Sequence, residues 1–139
     1  MDLRQTREHL VREHMQSENT HDFDVTLATF AEHPRYEIVA TGEVYDGAQQ
    51  VGRYYQETRA AFPDQHNELI ALHHADDAVI AEFWLRGTHE GEFRGIPATG
   101  RSFEARMAAF FLFEDEKLVC ERVYFDAATI LTQLGLAGG

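Results

Sequence analysis

Apolar positions in the first half of the chain recur at the spacing of amphipathic helices. The first helix is predicted to run to about Asn19, and its apolar face consists of Leu3, Leu10, Val11 and Met15. A second helix is predicted to begin after Asp22, a good N-cap, and to end before Pro34. A short strand at 36–40 and a turn at Asp46-Gly47 precede a third predicted helix, whose apolar positions run from Ala48 to Phe62.

The pattern changes near residue 65 to an alternation of apolar and polar positions that is typical of strands. Four strands are predicted, at 68–74, 79–88, 103–113 and 118–125, followed by a short helix over 127–134. Sequential antiparallel pairing is the simplest topology for them. The order predicts one α+β domain over 1–139, with the N-terminal helices packed on one face of a curved antiparallel sheet. Such a sheet forms a cone that can hold a small molecule.

Charge and composition exclude several classes of protein. Twelve Lys and Arg against 24 Asp and Glu give a net charge of −12, which repels nucleic-acid phosphates. No apolar stretch approaches the roughly 20 residues that a membrane span requires, and the N-terminus lacks the apolar core of a signal peptide. The single cysteine, Cys120, cannot form an internal disulfide. We therefore expect a soluble, cytoplasmic protein that binds neither nucleic acid nor membranes.

Three polar residues interrupt the apolar face of the first helix. His14, Glu18 and His21 fall within the apolar stripe when each residue is advanced by about 100°. Because an unpaired buried polar group costs about 1–3 kcal/mol, they either form a structural hydrogen-bond network or line a pocket. Their i, i+4, i+7 spacing could also meet a zinc ion, although no recognised metal motif accompanies it. Tyr55, on the apolar face of the third helix, joins the candidate substrate-binding residues.

Asp126 is the candidate catalytic residue. It follows Arg122 and Tyr124 on one face of the last strand, and these two residues are expected to shape or polarise a pocket. Desolvation at the end of a strand in a closed cone would raise the pKa of the carboxyl group, which suits general acid–base catalysis. Asp126 also precedes the final helix and is a good N-cap. Capping and catalysis remain open alternatives that do not exclude each other.

The segment GTHEGEFRGIPATGR, residues 87–101, is predicted to be a long bent connection between two strands because it carries four glycines and a proline. His89 near its start is either exposed or reaches the mouth of the pocket. On the strand before it, Trp84 shares a face with polar residues, among them Arg86. This face predicts a homodimer interface. The alternative is that Trp84 packs beneath the Arg86 side chain.

Several segments resemble one family over almost the whole chain. GTHEGEFRGIPATGR, FLFEDEKLVCERVYFD and LTQLG, with EHMQSENTHDFD, TGEVYDG and AAFPD in the first half, resemble the SnoaL-like polyketide cyclase and ester cyclase group of the nuclear transport factor 2-like superfamily. The resemblance implies a cone-shaped α+β barrel, often dimeric and without a cofactor, with a deep apolar pocket. It implies an acid–base carboxylate at Asp126 for an intramolecular aldol condensation. The cyclases also carry a histidine on the preceding strand, whereas 103–113 has none.

These observations lead to one expected function and two alternatives. We expect proton-transfer catalysis on a small, largely apolar carbonyl compound, with no cofactor and no metal. Asp126 would act as acid and base, and the expected substrate-binding residues are His14, Glu18, His21, Tyr55, His89, Arg122 and Tyr124. The first alternative is a non-catalytic module that binds an apolar ligand. The second is epoxide hydrolysis, which needs an arginine between two carboxylates, and Arg122 with Asp126 supplies only part of that arrangement.

Overall fold

Four helices and a curved sheet of six strands make up residues 1–136, the part of the chain that the computed structural model describes. The helices are α1 (Leu3–Asn19), α2 (Phe23–Ala28), α3 (Ala48–Ala61) and α4 (Ala127–Gln133). The strands are β1 (Arg35–Ile38), β2 (Glu43–Asp46), β3 (His66–Ala75), β4 (Ala78–Thr88), β5 (Ser102–Glu114) and β6 (Lys117–Tyr124). The predicted α+β architecture is confirmed, with a sheet that curves without closing into a full barrel.

The strands lie in the order β2-β1-β6-β5-β4-β3. The four long strands pair antiparallel in sequence order, as the alternation predicts. The sequence did not predict that β1 pairs parallel with β6, with Tyr36 opposite Glu121. It also did not predict the edge strand β2, where Tyr45 pairs with Tyr36. The four residues of β2 carry too little alternation to be recognised, and sequential pairing does not anticipate the contact of β1, predicted as a short strand, with a strand about 85 residues away.

The core lies on the inner face of the sheet, beneath α1 and α3. Strand β5 alternates strictly, and its buried residues are Phe103, Ala105, Met107, Ala109, Phe111 and Phe113. Each large apolar side chain buried in this way contributes about 1.5–3 kcal/mol relative to an exposed one. The opposite face of the same strand is partly exposed. The sheet therefore has one face that packs against the helices and one that faces outward.

Polar contacts fix α1 across the sheet. The carboxylate of Asp2 accepts a hydrogen bond from the backbone N–H of Gln5, and the Gln5 side chain accepts one from the Asp2 N–H. Arg7 is buried and donates to the carbonyl oxygens of Asp76 and Asp115, which lie in the turns of two hairpins. These contacts hold the inward-facing side of α1 over the sheet, so its polar residues have defined partners.

The remaining helices begin and end close to their predicted positions. Asp22 caps α2 as predicted, but the helix ends at Ala28, well before Pro34. Helix α3 ends at Ala61, one residue before its predicted end. Among the residues that the structure describes, none of the helices has the length and apolar character needed to cross a membrane.

Candidate active site

A cavity of about 300 Å³ lies between the inner face of the sheet and helices α1, α3 and α4. Most of its wall is aromatic or aliphatic, and the residues include Met15, Phe62, Phe83, Leu85, Phe93, Phe103, Met107, Phe111, Val123, Ile130 and Leu134. Polar side chains interrupt this wall, among them Glu18, Tyr55, Arg59, His89 and Glu121. An apolar cavity with a few polar groups is typical of a site for a small organic molecule.

Two carboxylates and a histidine meet at one end of the cavity, and we call Glu18, Glu121 and His14 the His14 cluster. His14 Nε2 lies 2.8 Å from Glu121 Oε1 and 2.9 Å from Glu18 Oε1. Its Nδ1 lies 2.8 Å from the hydroxyl of Thr29, which donates its own proton to the carbonyl of Thr26. The Thr29 hydroxyl therefore accepts from Nδ1. Both ring nitrogens donate, and this network assigns a positive charge to the ring.

Burial and mutual attraction shift the pKa of each member of the His14 cluster. Burial alone would lower the pKa of His14, but the charges and hydrogen bonds of Glu121 and Glu18 raise it to about 10. Burial opposes ionisation of Glu18, yet its hydrogen bond to His14 and the nearby charges of His14 and Arg59 lower its pKa below the ordinary value. Burial raises the pKa of Glu121, and His14 offsets this only in part. Glu121 is therefore the more basic carboxylate.

A β-bulge turns Glu121 toward the cavity. On β5 and β6, Leu112 pairs with Cys120 and Phe113 pairs with Leu118, which leaves Val119 as an extra residue. An extra residue exchanges the faces of the strand beyond it. Strict alternation from the buried Leu118 would direct Arg122 and Tyr124 inward. The bulge instead directs Glu121 and Val123 inward, a position of Glu121 that the alternation along the sequence does not predict.

The spacing within the His14 cluster is that of hydrogen bonds. Among the described residues, these three form a set whose ligand atoms all lie within 4.8 Å of one another and could hold a metal ion. The ligand atoms of a tetrahedral zinc site are about 3.3 Å apart, given bonds of about 2.0–2.1 Å. The Nε2 to carboxylate distances of 2.8 and 2.9 Å are shorter and match charge-assisted hydrogen bonds. A shared proton thus fits the cluster better than a metal ion does.

Helix α3 brings two hydrogen-bond donors to the same end of the cavity. Tyr55 Oη and Arg59 Nε are buried and have no hydrogen-bond partner among residues 1–136. Arg59 donates through Nη1 to Thr58 Oγ1, and its Nη2 lies 3.6 Å from Glu18 Oε2. Burial, followed by the charges of Glu18 and Glu121, raises the pKa of Tyr55 well above its ordinary value, so the hydroxyl keeps its proton. Arg59 was not predicted, although its i+4 spacing from Tyr55 places it on the same helix face.

His89 lines another part of the cavity wall. It follows β4, and its ring stacks on Phe62 with the ring centroids 5.2 Å apart. Nδ1 accepts a hydrogen bond of 3.3 Å from the backbone N–H of Thr99, and Nε2 is buried without a partner among the described residues. The segment that holds it bends back between β4 and β5, as its glycines predicted. The sequence left open whether His89 is exposed or reaches the pocket, and in the structure it is buried and lines the pocket.

Asp126, Arg122 and Tyr124 share the outer face of the sheet. The Asp126 carboxylate accepts hydrogen bonds from the Ala128 N–H and the Thr129 hydroxyl and caps α4. It lies in a shallow depression with Tyr124, whereas its neighbours Phe125 and Ala127 line the cavity. The structure therefore brings His14 and Glu18 together with Glu121, and it places Asp126 on the other side of the sheet.

Arg122 has a different partner from the one that epoxide hydrolysis would need. Its Nε donates to Glu37 on the neighbouring strand β1, at 2.6 Å. Arg35 donates to the same carboxylate, and the two arginines lower its pKa. Arg122 is therefore not held between two carboxylates at the cavity. Among the described residues, Arg122 and Asp126 do not form the arrangement for that reaction.

His21, predicted to bind substrate, and Trp84, predicted to lie at a dimer interface, are both near the surface. His21 is exposed with a φ of 59°, and its ring stacks on Phe23 with the centroids 5.7 Å apart. On the outer face of the sheet, the Arg86 guanidinium lies over the Trp84 ring at 5.7 Å, and Arg86 also pairs with Glu104. The packing of Trp84 beneath Arg86 is thus observed, and this contact leaves the ring partly accessible.

Comparisons with known proteins agree with this fold. IdmH from Streptomyces antibioticus, described as a candidate polyketide cyclase, is 26% identical, with a TM-score of 0.78 over 93% of this chain and 98% of that chain. A SnoaL-like protein from Jannaschia sp. CCS1 is 16% identical, with a TM-score of 0.83 over 97% of this chain and 94% of that chain. A comparison with curated proteins finds no match. The family model for SnoaL-like polyketide cyclases matches residues 8–134, and the chain therefore belongs to this family.

Proposed function

We propose that the protein binds a small, largely apolar carbonyl compound in its cavity and catalyses a proton transfer, as in aldol cyclisation or isomerisation. The observation that carries the proposal is that Glu121 on β6, a carboxylate of raised pKa, lies at the same end of the cavity as Tyr55 Oη and Arg59 Nε on α3, which are donors without a partner among residues 1–136. A base beside buried donors suits the removal of a proton next to a carbonyl group. The membership in the SnoaL-like family supports the same chemistry.

In the first step, the substrate carbonyl oxygen accepts hydrogen bonds from Tyr55 Oη and Arg59 Nε. These donors have no other partner among the described residues, so a ligand oxygen would remove the cost of their burial, about 1–3 kcal/mol for each. Glu121 then takes a proton from the adjacent carbon, and the electron pair of the broken C–H bond moves into the enolate. Over residues 1–136, no side-chain or backbone donor hydrogen-bonds to Glu121 Oε2, so this oxygen is free to receive the proton.

In the second step, Glu121 returns the proton. In an isomerisation, the proton goes to a different carbon of the enolate. In a cyclisation, the enolate carbon forms a bond to a second carbonyl carbon of the same molecule, and the oxygen of that carbonyl takes the proton from Glu121. Both routes begin and end with an ionised Glu121, so the chemistry needs no further reactant.

His14 and Glu18 would act as positioning residues. His14 fixes Oε1 of Glu121 through a hydrogen bond of 2.8 Å and leaves the other oxygen available. Its positive charge allows Glu121 to ionise in a dry cavity, where an uncompensated carboxylate would take up a proton. Glu18 balances that charge and lies beside Arg59. Replacing either residue is therefore expected to change the pH at which Glu121 works.

Asp126 remains the alternative base, as the sequence and the family resemblance predict. Its exposed carboxylate is occupied by two hydrogen bonds at the start of α4, which favours the capping role. For catalysis, a substrate would have to bind on the outer face of the sheet or the carboxylate would have to leave its cap. The Glu121 assignment requires neither change.

We also propose a homodimer that forms through the outer face of the sheet. Besides Trp84, this face carries Phe110 packed on Tyr124, with the ring centroids 5.2 Å apart, and Tyr124 is 39% exposed. Aromatic side chains of this kind are common at interfaces. Sedimentation velocity at micromolar concentration should give a species of twice the 15.9 kDa chain mass. A single species of the chain mass would reject the dimer.

The exchange of protons next to a ketone tests the proposed chemistry. With 2-tetralone in D₂O, NMR spectroscopy follows the replacement of the protons beside the carbonyl by deuterium. The wild-type protein should accelerate the exchange, and Glu121→Gln should reduce the acceleration by about 100-fold or more, the usual contribution of a positioned base. Glu116→Gln, in an exposed turn, is the matched control and should retain the wild-type rate. Saturable binding of the ketone without faster exchange would favour the non-catalytic binding module.

A further inference from the structure

His89 is held rigidly at the cavity wall. Its backbone N–H donates to the Arg101 carbonyl, and its own carbonyl accepts from the Gly100 N–H. The ring stacks on Phe62. The next two residues, Glu90 and Gly91, donate backbone hydrogen bonds to the Ala61 carbonyl at the end of α3. The approach is so close that a Cβ atom added at Gly91 would lie 2.3 Å from the Ala60 carbonyl oxygen. The imidazole is therefore preorganised, and it is only 1% exposed.

The hydrogen bonds of His89 assign a proton to Nε2. The backbone N–H of Thr99 is a donor, so Nδ1 accepts from it at 3.3 Å. The Thr99 hydroxyl lies 3.2 Å from the same nitrogen and accepts from the Arg101 N–H, so its own proton can point to Nδ1. The proton of the neutral ring is then on Nε2. Among the described residues this N–H has no acceptor, although it is buried. A buried donor without a partner destabilises a folded protein, and one that lines a cavity is a candidate contact for a ligand.

His89 lies within reach of a molecule whose oxygen is bound by Tyr55 and Arg59. Arg59 and Phe62 are three residues apart at the end of α3, which corresponds to about 4.5 Å along a helix axis. The His89 ring lies 5.2 Å from the Phe62 ring, measured between centroids. A two-ring molecule with its carbonyl oxygen at Tyr55 and Arg59 can therefore extend to His89. Most of the side chains that line the cavity are apolar.

We propose that His89 Nε2–H donates a hydrogen bond to a second oxygen of the substrate, remote from the reacting carbonyl. This inference rests on the proposed function for the position of the first oxygen, and it names the substrate class: apolar ring compounds with two oxygen functions, rather than simple monoketones. The second oxygen can belong to a carbonyl, ether or hydroxyl group, since each accepts a hydrogen bond. His89 is then a residue that determines specificity and takes no part in the proton transfer.

Matched pairs of bicyclic ketones test this inference. The probes are the 5-, 6-, 7- and 8-methoxy-2-tetralones, and each is compared with the ethyl-2-tetralone that has the same shape without the ether oxygen. Isothermal titration calorimetry gives the dissociation constants. In the wild-type protein, at least one methoxy compound should bind about 5- to 10-fold more tightly than its ethyl counterpart, the ratio expected for one hydrogen bond. In His89→Phe the ratio should fall below about twofold. His89→Gln, which places an amide donor near the Nε2 position, should restore part of it.

The outcomes separate this inference from the proposed function. A methoxy preference that is absent in the wild type, or that persists in His89→Phe, would overturn the role of His89. Loss of affinity for methoxy and ethyl probes alike in His89→Phe would also overturn it, because the residue would then only shape the cavity. The Glu121→Gln variant should keep the methoxy preference while it loses proton exchange. A preference that depends on His89 in a protein without exchange activity would leave this inference standing and reject the proposed catalysis.

Discussion

The charge on His14 predicts a specific dependence of stability on pH. The folded protein keeps the His14 proton up to about pH 10, whereas an unfolded chain loses it near the ordinary histidine pKa of 6.5. The stability that this proton contributes is therefore complete below about pH 6.5 and is lost as the pH rises toward 10. Glu121, whose pKa is also raised, acts in the same direction. Glu18, whose pKa is lowered, contributes stability that is lost only below its ordinary pKa of 4.5.

The expected loss can be worked out from the two pKa values of His14. Between pH 7 and pH 9 the folded state binds almost one proton more than the unfolded state, which lowers the free energy of unfolding by about 2–3 kcal/mol. In His14→Gln this contribution is absent. Two buried carboxylates then face each other without the imidazolium between them, with Arg59 near Glu18 as the remaining cation, and the variant should be less stable at pH 7 by about 3–5 kcal/mol.

Urea denaturation of both proteins at intervals between pH 5 and pH 9.5 measures this effect. The other seven histidines are common to both proteins, so the difference between the two stability curves reports on His14 together with Glu18 and Glu121, the two carboxylates whose pKa values depend on it. The wild-type advantage should shrink as the pH rises above 7. A difference that stays constant from pH 6 to pH 9 would refute the assignment of a charged His14 and the account of the cluster that depends on it.

Three further pairs of substitutions test other contacts by thermal or urea denaturation. Asp126→Ala should cost about 1 kcal/mol through the lost helix cap, whereas Asp126→Asn should cost little; equal losses would contradict the capping role. Arg7→Ala should cost about 2–3 kcal/mol because it removes two hydrogen bonds to hairpin turns, and the exposed Arg4→Ala is the control with a change below about 0.5 kcal/mol. Gly91→Ala should destabilise by about 1–3 kcal/mol through its clash with the end of α3, whereas Gly52→Ala, in a helix with room for a methyl group, should stabilise by about 0.5–1 kcal/mol. A tolerated Gly91→Ala would show that the segment after β4 is not packed on α3 as described.

The fold follows from local patterns wherever these are long. The alternation in β5 and the helical spacing in α1 and α3 extend over many residues, and the structure has these elements within a few residues of their predicted bounds. The edge strand β2 has only four residues. The parallel contact of β1 with β6 depends on the path of the chain over the helices, which no local pattern records.

The His14 cluster was predicted in part, from α1 but not from β6. His14 and Glu18 were recognised because charged groups on an apolar helix face need partners, and the structure supplies those partners. Glu121 was missed because the bulge at Val119 exchanges the faces of β6, and a single extra residue leaves no signature in the alternation. Arg122 and Tyr124 do share a face, as expected, but it is the outer one. A glutamate within the mostly apolar sequence of a predicted strand, as in LVCERVY, is a signal that could have indicated Glu121.

A comparison of two carboxylates distinguishes Glu121, the proposed base in the cavity, from Asp126 on the outer face of the sheet. Glu121→Gln and Asp126→Asn each replace one carboxylate by an amide of nearly the same shape. The rate of deuterium incorporation into 2-tetralone is measured for both variants and for the wild type, with the same fraction of each protein occupied by the ketone. We expect Glu121→Gln to lower the rate by about 100-fold or more and Asp126→Asn to leave it within about twofold of the wild type. A large loss in Asp126→Asn together with a near-wild-type rate in Glu121→Gln would contradict the proposal that Glu121 is the base.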